Sequence, residues 1–184
     1  VRARHGRCSF RLEEALMRRQ RSKTHAASTL PRQDAQKKPQ RSDPYALRGK
    51  LPDPSACTEC HAIYRAGRWA WGAPPADAER VVCPACKRIA DDYPAGVVEL
   101  SGEYVAEHRE ELEHLARNFE ERERTEHPLK RIVAIRGTDG GLEITTTDAK
   151  LARGIGSALR RAHRGTLRLP ASDRENLARV TWTR

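Results

Sequence analysis

Apolar positions recur with two different periods along the C-terminal half of the chain. Val97-Val-Glu-Leu100 is a short, nearly continuous apolar run, which predicts a strand. Beyond it, Val105, His108, Leu112, Leu115 and Phe119 recur at intervals of three and four, placing one stripe on a helix. Ser101 suits the N-cap of that helix and Glu103 its first turn. His127-Pro128 ends it, because the residue before a proline is pushed out of the helical region. Ile132-Val-Ala-Ile135 and Leu142-Glu-Ile144 predict two further strands around a hairpin turn at Gly137-Thr-Asp-Gly-Gly141. A second helix is expected from about Thr147 to His163, with Leu151, Ile155, Leu159 and Ala162 on one face. Thr166–Leu169 and Leu177–Trp182 read as the last two strands. The order β-α-β-β-α-β with one added strand is that of a split βαβ unit, so residues 93–184 are expected to form a ferredoxin-like α+β domain.

The pattern is shorter upstream. Ile63, Tyr64, Trp69 and Trp71 around Gly67 predict a β-hairpin of the zinc-ribbon kind within residues 51–92, with both tryptophans on one strand face by the period of two. Residues 1–50 carry no sustained period; Phe10, Leu12, Ala15 and Leu16 after Ser9 would make one short amphipathic helix. This arm is polar and poor in aromatics, so it buries too little surface to offset its ordering entropy, and it is expected to be a disordered basic arm.

Composition sharpens this division. Hydrophobic residues are 38% and charged residues 33% of 184, too polar for a large core throughout. No run nears the roughly 18 apolar residues of a membrane span or suits a signal peptide, so a cytoplasmic protein without a membrane partner is expected. The formal charge of +10 sits in residues 1–50, which hold 14 Lys/Arg against 4 Asp/Glu; residues 51–184 hold 21 of each. A basic arm beside a folded domain is an electrostatic footprint for a polyanion, most often nucleic acid, and a solvated tail without fixed partner is the plainer alternative. Residues 99–126 hold ten Glu against four Arg, and residues 150–184 nine Lys/Arg against two acids. An acidic helix and a basic end suit two different partners, one of them a protein; simple charge balancing between solvent faces is the other reading.

The strongest motif is Cys57-Thr-Glu-Cys60 followed, after 22 residues, by Cys83-Pro-Ala-Cys86. Zn2+ takes four thiolates at tetrahedral corners, and two C-x2-C turns supply them with no position left open. A redox pair or two disulfides are the rivals, but no βαβ pattern adjoins either motif and Glu59 does not favour a reactive thiolate. His61 reads as a neighbour of the cluster, and Cys8 as a free thiol in the arm. Between the pairs, Trp69 and Trp71 beside Arg65 and Arg68 suit stacking on unpaired bases with guanidinium groups on phosphates, although a small ribbon also needs large side chains for its core. On the second helix Lys150, Arg153, Arg160, Arg161 and Arg164 fall opposite Ile155 and make a basic stripe. No paired carboxylates, Ser/His/Asp signature or phosphate loop is present, and Gly154-Ile-Gly156 lacks the strand a nucleotide fingerprint requires, so an enzyme is not expected.

Cys83-Pro-Ala-Cys86, the tyrosine, short strand and acidic helix after it, then Gly140-Gly-Leu-Glu-Ile144 and the Arg-rich helix ending before Thr166, resemble part of the archaeal and eukaryotic nonsense-mediated-decay-three family of large-ribosomal-subunit adaptors. The likeness spans residues 57–184. Asp43-Pro-Tyr45 and Gly67-Arg-Trp-Ala-Trp71 are similar to segments of small bacterial zinc-ribbon proteins. The resemblance implies association with RNA, and with the large ribosomal subunit in particular, in translation or ribosome biogenesis. The expectation is therefore a non-enzymatic zinc-ribbon RNA-binding protein. The alternative is a protein–protein adaptor that docks a partner through the ribbon or acidic helix without touching nucleic acid. Charge alone does not separate RNA from DNA.

Overall fold

The computed structural model describes residues 43–45, 51–169 and 177–184. Cys8 and the short helix expected near Phe10–Leu16 lie outside the described residues.

The segment before the C-terminal region forms a small four-stranded sheet. Strands β1 (Ser55–Cys57), β2 (Ile63–Arg65), β3 (Arg68–Ala70) and β4 (Glu79–Val81) lie in the order β3-β2-β1-β4. The β2–β3 hairpin is the expected one, with Tyr64 opposite Trp69 and Arg65 opposite Arg68. Strand β1 pairs antiparallel with β2 and parallel with β4, two pairings the hydrophobic pattern did not announce. Strands of three residues are too short to establish a period of two. Helix α1 (Pro84–Ala90) follows at once, with Cys83 as its cap and Pro84 in the first turn, where a missing N–H costs nothing. A Cys-Pro-Ala-Cys turn thus opens a helix. Both tryptophans were expected on one strand face, but β3 ends at Ala70 and Trp71 lies beyond it.

Asp43–Tyr45, assigned by sequence to a disordered arm, is instead seated against α1. The Arg88 guanidinium donates to the Asp43 carboxylate and to the Tyr93 carbonyl, 3.1 Å away, and lies 4.7 Å from the centre of the Tyr45 ring. Tyr45 donates its hydroxyl to Asp91 at 2.6 Å. Arg88 is buried, and these partners satisfy the charge that burial would otherwise penalise.

The larger sheet contains β5 (Gly96–Ser101), β6 (Ile132–Thr138), β7 (Gly141–Thr146), β8 (Thr166–Arg168) and β9 (Ala178–Thr183), in the order β6-β7-β5-β9-β8. The chain therefore has a mixed α+β architecture. Strand β7 lies between β5 and β6 and runs antiparallel to both, as a split βαβ unit requires. The other side departs from the ferredoxin-like expectation: β9 takes the place beside β5 and runs parallel to it, while β8 is moved to the edge. Burial explains the exchange. Val180 and Trp182 make β9 the apolar strand, whereas Thr166 and Arg168 leave β8 suited to an exposed edge.

One helix was expected after β5, but two form. Helix α2 (Glu103–Glu107) and α3 (Arg109–Glu126) meet at His108, whose ring stacks on Tyr104 at 3.9 Å. Ser101 belongs to β5, and Gly102 holds the cap position expected for it. Helix α4 (Ala149–His163) lies across β5 and β9 and packs on α3. Its cap is Asp148, which accepts from the Leu151 N–H at 2.9 Å. Two glycines allow this close packing: a Cβ at Gly154 would run into the Phe119 ring of α3, and one at Gly156 into Val180 of β9. Their role here is steric. The core joins Val98, Leu100, Leu142, Ile144, Val180 and Trp182 of the sheet to Val105, Leu112, Leu151, Ile155 and Leu159 of the helices. Trp182 is fully buried and donates its indole N–H to the Arg164 carbonyl at 2.8 Å. Ala162, expected on the buried face, is exposed near the end of α4.

Candidate metal centre and nucleic-acid surface

The folds of β1 and α1 bring the cysteine pairs together. Cys57 closes β1, and the turn after it is held by the His61 N–H donating to the Cys57 carbonyl (3.1 Å) and the Cys57 N–H to the Ala62 carbonyl (2.8 Å). That turn carries Cys60 back toward Cys57. Cys83 and Cys86 stand one helical turn apart at the start of α1. All four sulfurs lie within 4.8 Å of one another. The Cys57–Cys86 separation is 3.8 Å and the Cys60–Cys83 separation 3.7 Å. A tetrahedral ion with metal–sulfur bonds of about 2.3 Å has sulfur–sulfur edges of about 3.8 Å, so geometry and donor set both fit a four-thiolate metal site. Disulfides do not fit, because they require about 2.05 Å. His61 is exposed, with φ of 62°, and stays outside the cluster.

The thiols differ in environment. Burial works to raise Cys57, but amide N–H groups of Cys60, Cys83 and Glu59 outweigh it and bring this thiol down to about 7. Burial dominates at Cys83 and pushes it well above the usual thiol range. It also raises Cys86, to about 11. Two backbone N–H groups point at sulfur: Cys83 to Cys57 at 3.3 Å and Cys86 to Cys83 at 3.4 Å. Such donors favour the anionic form that a metal ligand must take.

Around the sulfurs pack Trp69 and Leu129. Trp69 is half-buried, with its ring 5.5 Å from that of Tyr64, so it builds the wall of the cluster. Trp71 is 39% exposed, but its indole N–H donates to the Arg124 carbonyl at 2.6 Å and the Arg124 guanidinium covers the ring at 5.3 Å. Of the two rings expected as stacking platforms, Trp69 packs on the cluster and Trp71 is exposed beneath Arg124. Sequence reasoning also missed Arg131, which donates to the Cys86 sulfur at 3.2 Å. No local signal marks it, since 45 residues separate the two.

The basic residues fare differently. Arg65 and Arg68 are exposed and face each other across the hairpin turn. Lys150, Arg160, Arg161 and Arg164 are exposed on α4 or at its end. Among the described residues, none of these six is paired with an acidic side chain. Arg153 is half-buried and has interaction partners, so it is set apart from them. On α3, by contrast, several carboxylates are engaged: Glu113 with Arg109, Glu123 with Lys130, and Glu120 with the Ile132 N–H.

Fold and site together define an α+β protein with a cluster of four cysteines, three of them buried, suited to a metal ion. The chain matches no family model, no curated protein and no solved structure. No helix among the described residues is long and apolar enough to cross a membrane.

Proposed function

We propose that the chain is a non-enzymatic RNA-binding protein whose four-cysteine cluster holds one structural Zn2+, and that it acts as a ribosome-associated protein or adaptor in translation or ribosome biogenesis. Cys57, Cys60, Cys83 and Cys86 would hold the ion, which supplies a cross-link between β1 and α1 in a segment with little apolar core of its own. The larger domain is read as a ferredoxin-like derivative, a split βαβ unit into which β9 has been inserted beside β5.

The observation that carries the RNA reading is the set of exposed cations without acidic partners among the described residues: Arg65 and Arg68 on the hairpin, Lys150, Arg160 and Arg161 along α4, and Arg164 just past its end. Arg88, Arg109, Arg136 and Arg179 each meet a carboxylate, so acids are within reach of many arginines and yet not of these. Like charges opposite each other in a hairpin are destabilising, which makes the Arg65/Arg68 pair costly unless a polyanion offsets it. The resemblance to the large-subunit adaptor family favours RNA over DNA, and the large ribosomal subunit over other RNAs.

Equilibrium binding to structured RNA between 50 and 200 mM salt tests the reading. Affinity should fall steeply with salt, and changing Arg160, Arg161 and Arg164 to glutamate together should weaken binding and flatten the slope by about 0.7–0.9 for each phosphate no longer neutralised. Affinity indifferent to salt and to these changes overturns it. A partner captured equally well after nuclease treatment would favour the protein–protein adaptor, docked through the ribbon or the acidic α3.

A further inference from the structure

Arg131 is half-buried, and its guanidinium has no carboxylate partner among the described residues; its polar contact is the Cys86 sulfur, 3.2 Å from Nη1. A cation withdrawn from water calls for an anion, and Cys86, which becomes a thiolate when it gives up its proton to a metal ion, is the group within reach. The backbone of Arg131 is fixed as firmly as its side chain. Its N–H donates to the Thr147 hydroxyl oxygen at 2.9 Å, and its carbonyl accepts from the Thr147 N–H at 2.9 Å. The Thr147 hydroxyl in turn donates to the Leu129 carbonyl at 2.6 Å, and Leu129 packs on the cysteine cluster. Thr147 immediately precedes Asp148, the cap of α4, the helix that carries the basic stripe.

We propose that Arg131 is a positioning residue for the metal centre: its guanidinium fixes the Cys86 sulfur, offsets part of the charge that four thiolates leave on a divalent ion, and through Thr147 couples metal loading to the first turn of α4. This rests on the metal-site reading above. Four thiolates and one divalent cation carry a net charge of −2, which a nearby guanidinium offsets without displacing a ligand. The main chain of Arg131 is bonded to the residue before the α4 cap. A ligand shift at Cys86 that pulls on the guanidinium is therefore felt at the Leu151 and Ala152 N–H groups, which donate to Asp148.

The test uses the full chain as wild type, Arg131→Met and Arg131→Lys. Zinc affinity is read by competition with a chelator, and the sulfur-to-metal charge-transfer band by loading with Co2+. Amide exchange at Leu151 and Ala152 is followed with and without metal. Arg131→Met should bind zinc about 10–100-fold more weakly, shift the Co2+ band, and lose the slowing of exchange that metal brings to the wild type. Arg131→Lys should recover part of the affinity. Arg131→Gln, which keeps a donor and removes the charge, carries the same measurements if methionine prevents folding. Wild-type zinc affinity, band position and exchange in the neutral variants would overturn the proposal. A wild-type chain that takes up no divalent metal would overturn the metal reading itself, a separate and distinguishable result.

Discussion

Trp69 shows how a side chain's chemistry leaves its role open until its neighbours are known. Beside Arg65 and Arg68 it suits base stacking, but in the fold its ring packs on the cysteine cluster and against Tyr64. Trp69→Ala should therefore lower the stability of the small sheet by about 2 kcal/mol, seen as a lower melting temperature, while RNA affinity measured below the melting range stays within twofold. The cysteines were legible because the C-x2-C spacing is itself a geometric statement: a turn of that length lets both sulfurs reach one ion. Cys83→Ser should abolish stoichiometric metal uptake and unfold the small sheet, since binding and folding are coupled. An unchanged metal content and melting curve would contradict this. Protonation sets a further expectation. Burial keeps the Cys83 and Cys86 thiols protonated at neutral pH in the metal-free chain, Cys86 titrating at about 11. Metal must displace those protons, so affinity should fall as pH falls, and loading should acidify a weakly buffered solution. Calorimetry in buffers of different ionisation enthalpy counts the protons released.

At the scale of elements, the long amphipathic stretches were readable and the short ones were not. Helix α4 carries Leu151, Ile155 and Leu159 on its buried face and Lys150, Arg160 and Arg161 on its exposed side, with Arg164 just past its end, and fifteen residues give the period enough turns to be unambiguous. Strands β1 and β4 have three residues each, and their pairing depends on where the cysteines converge rather than on any alternation. The β2–β3 hairpin places Arg65 against Arg68, an arrangement that trades stability for a charged tip. Replacing Arg68 with glutamine should raise the stability of the fold by about 0.2–1 kcal/mol and at the same time weaken RNA binding. Thermal melting and binding isotherms on the same preparation check both directions. A loss of stability would place the pair in a structural role.

Over the whole molecule, the basic excess and the contacts of the fold do not share a boundary. The basic excess lies in residues 1–50, but Asp43 and Tyr45 are partners of the buried Arg88 in α1. A chain lacking residues 1–42 keeps that arrangement, whereas one lacking residues 1–50 leaves Arg88 without its carboxylate. The second deletion should cost about 3 kcal/mol more than the first, visible as an earlier denaturant midpoint. Equal midpoints would show that the Asp43–Arg88 pair contributes nothing to the fold. The deletion of 1–42 is the one that isolates the arm's share of RNA affinity, because it removes most of the excess charge and none of these contacts.

By itself the sequence determined what depends on near neighbours along the chain. Repeats of three and four make α3 and α4, apolar runs make β5 and β7, and paired C-x2-C turns make a four-sulfur cluster. Tertiary structure decided what depends on residues far apart: the insertion of β9 beside β5, the break at His108, the docking of Asp43–Tyr45 on α1, and the approach of Arg131 to Cys86. The physical reason is the same in each case. Periodicity reports which face of an element is apolar, but the strand that wins the inner position and the cation that reaches a sulfur are settled only when all those faces compete for one core.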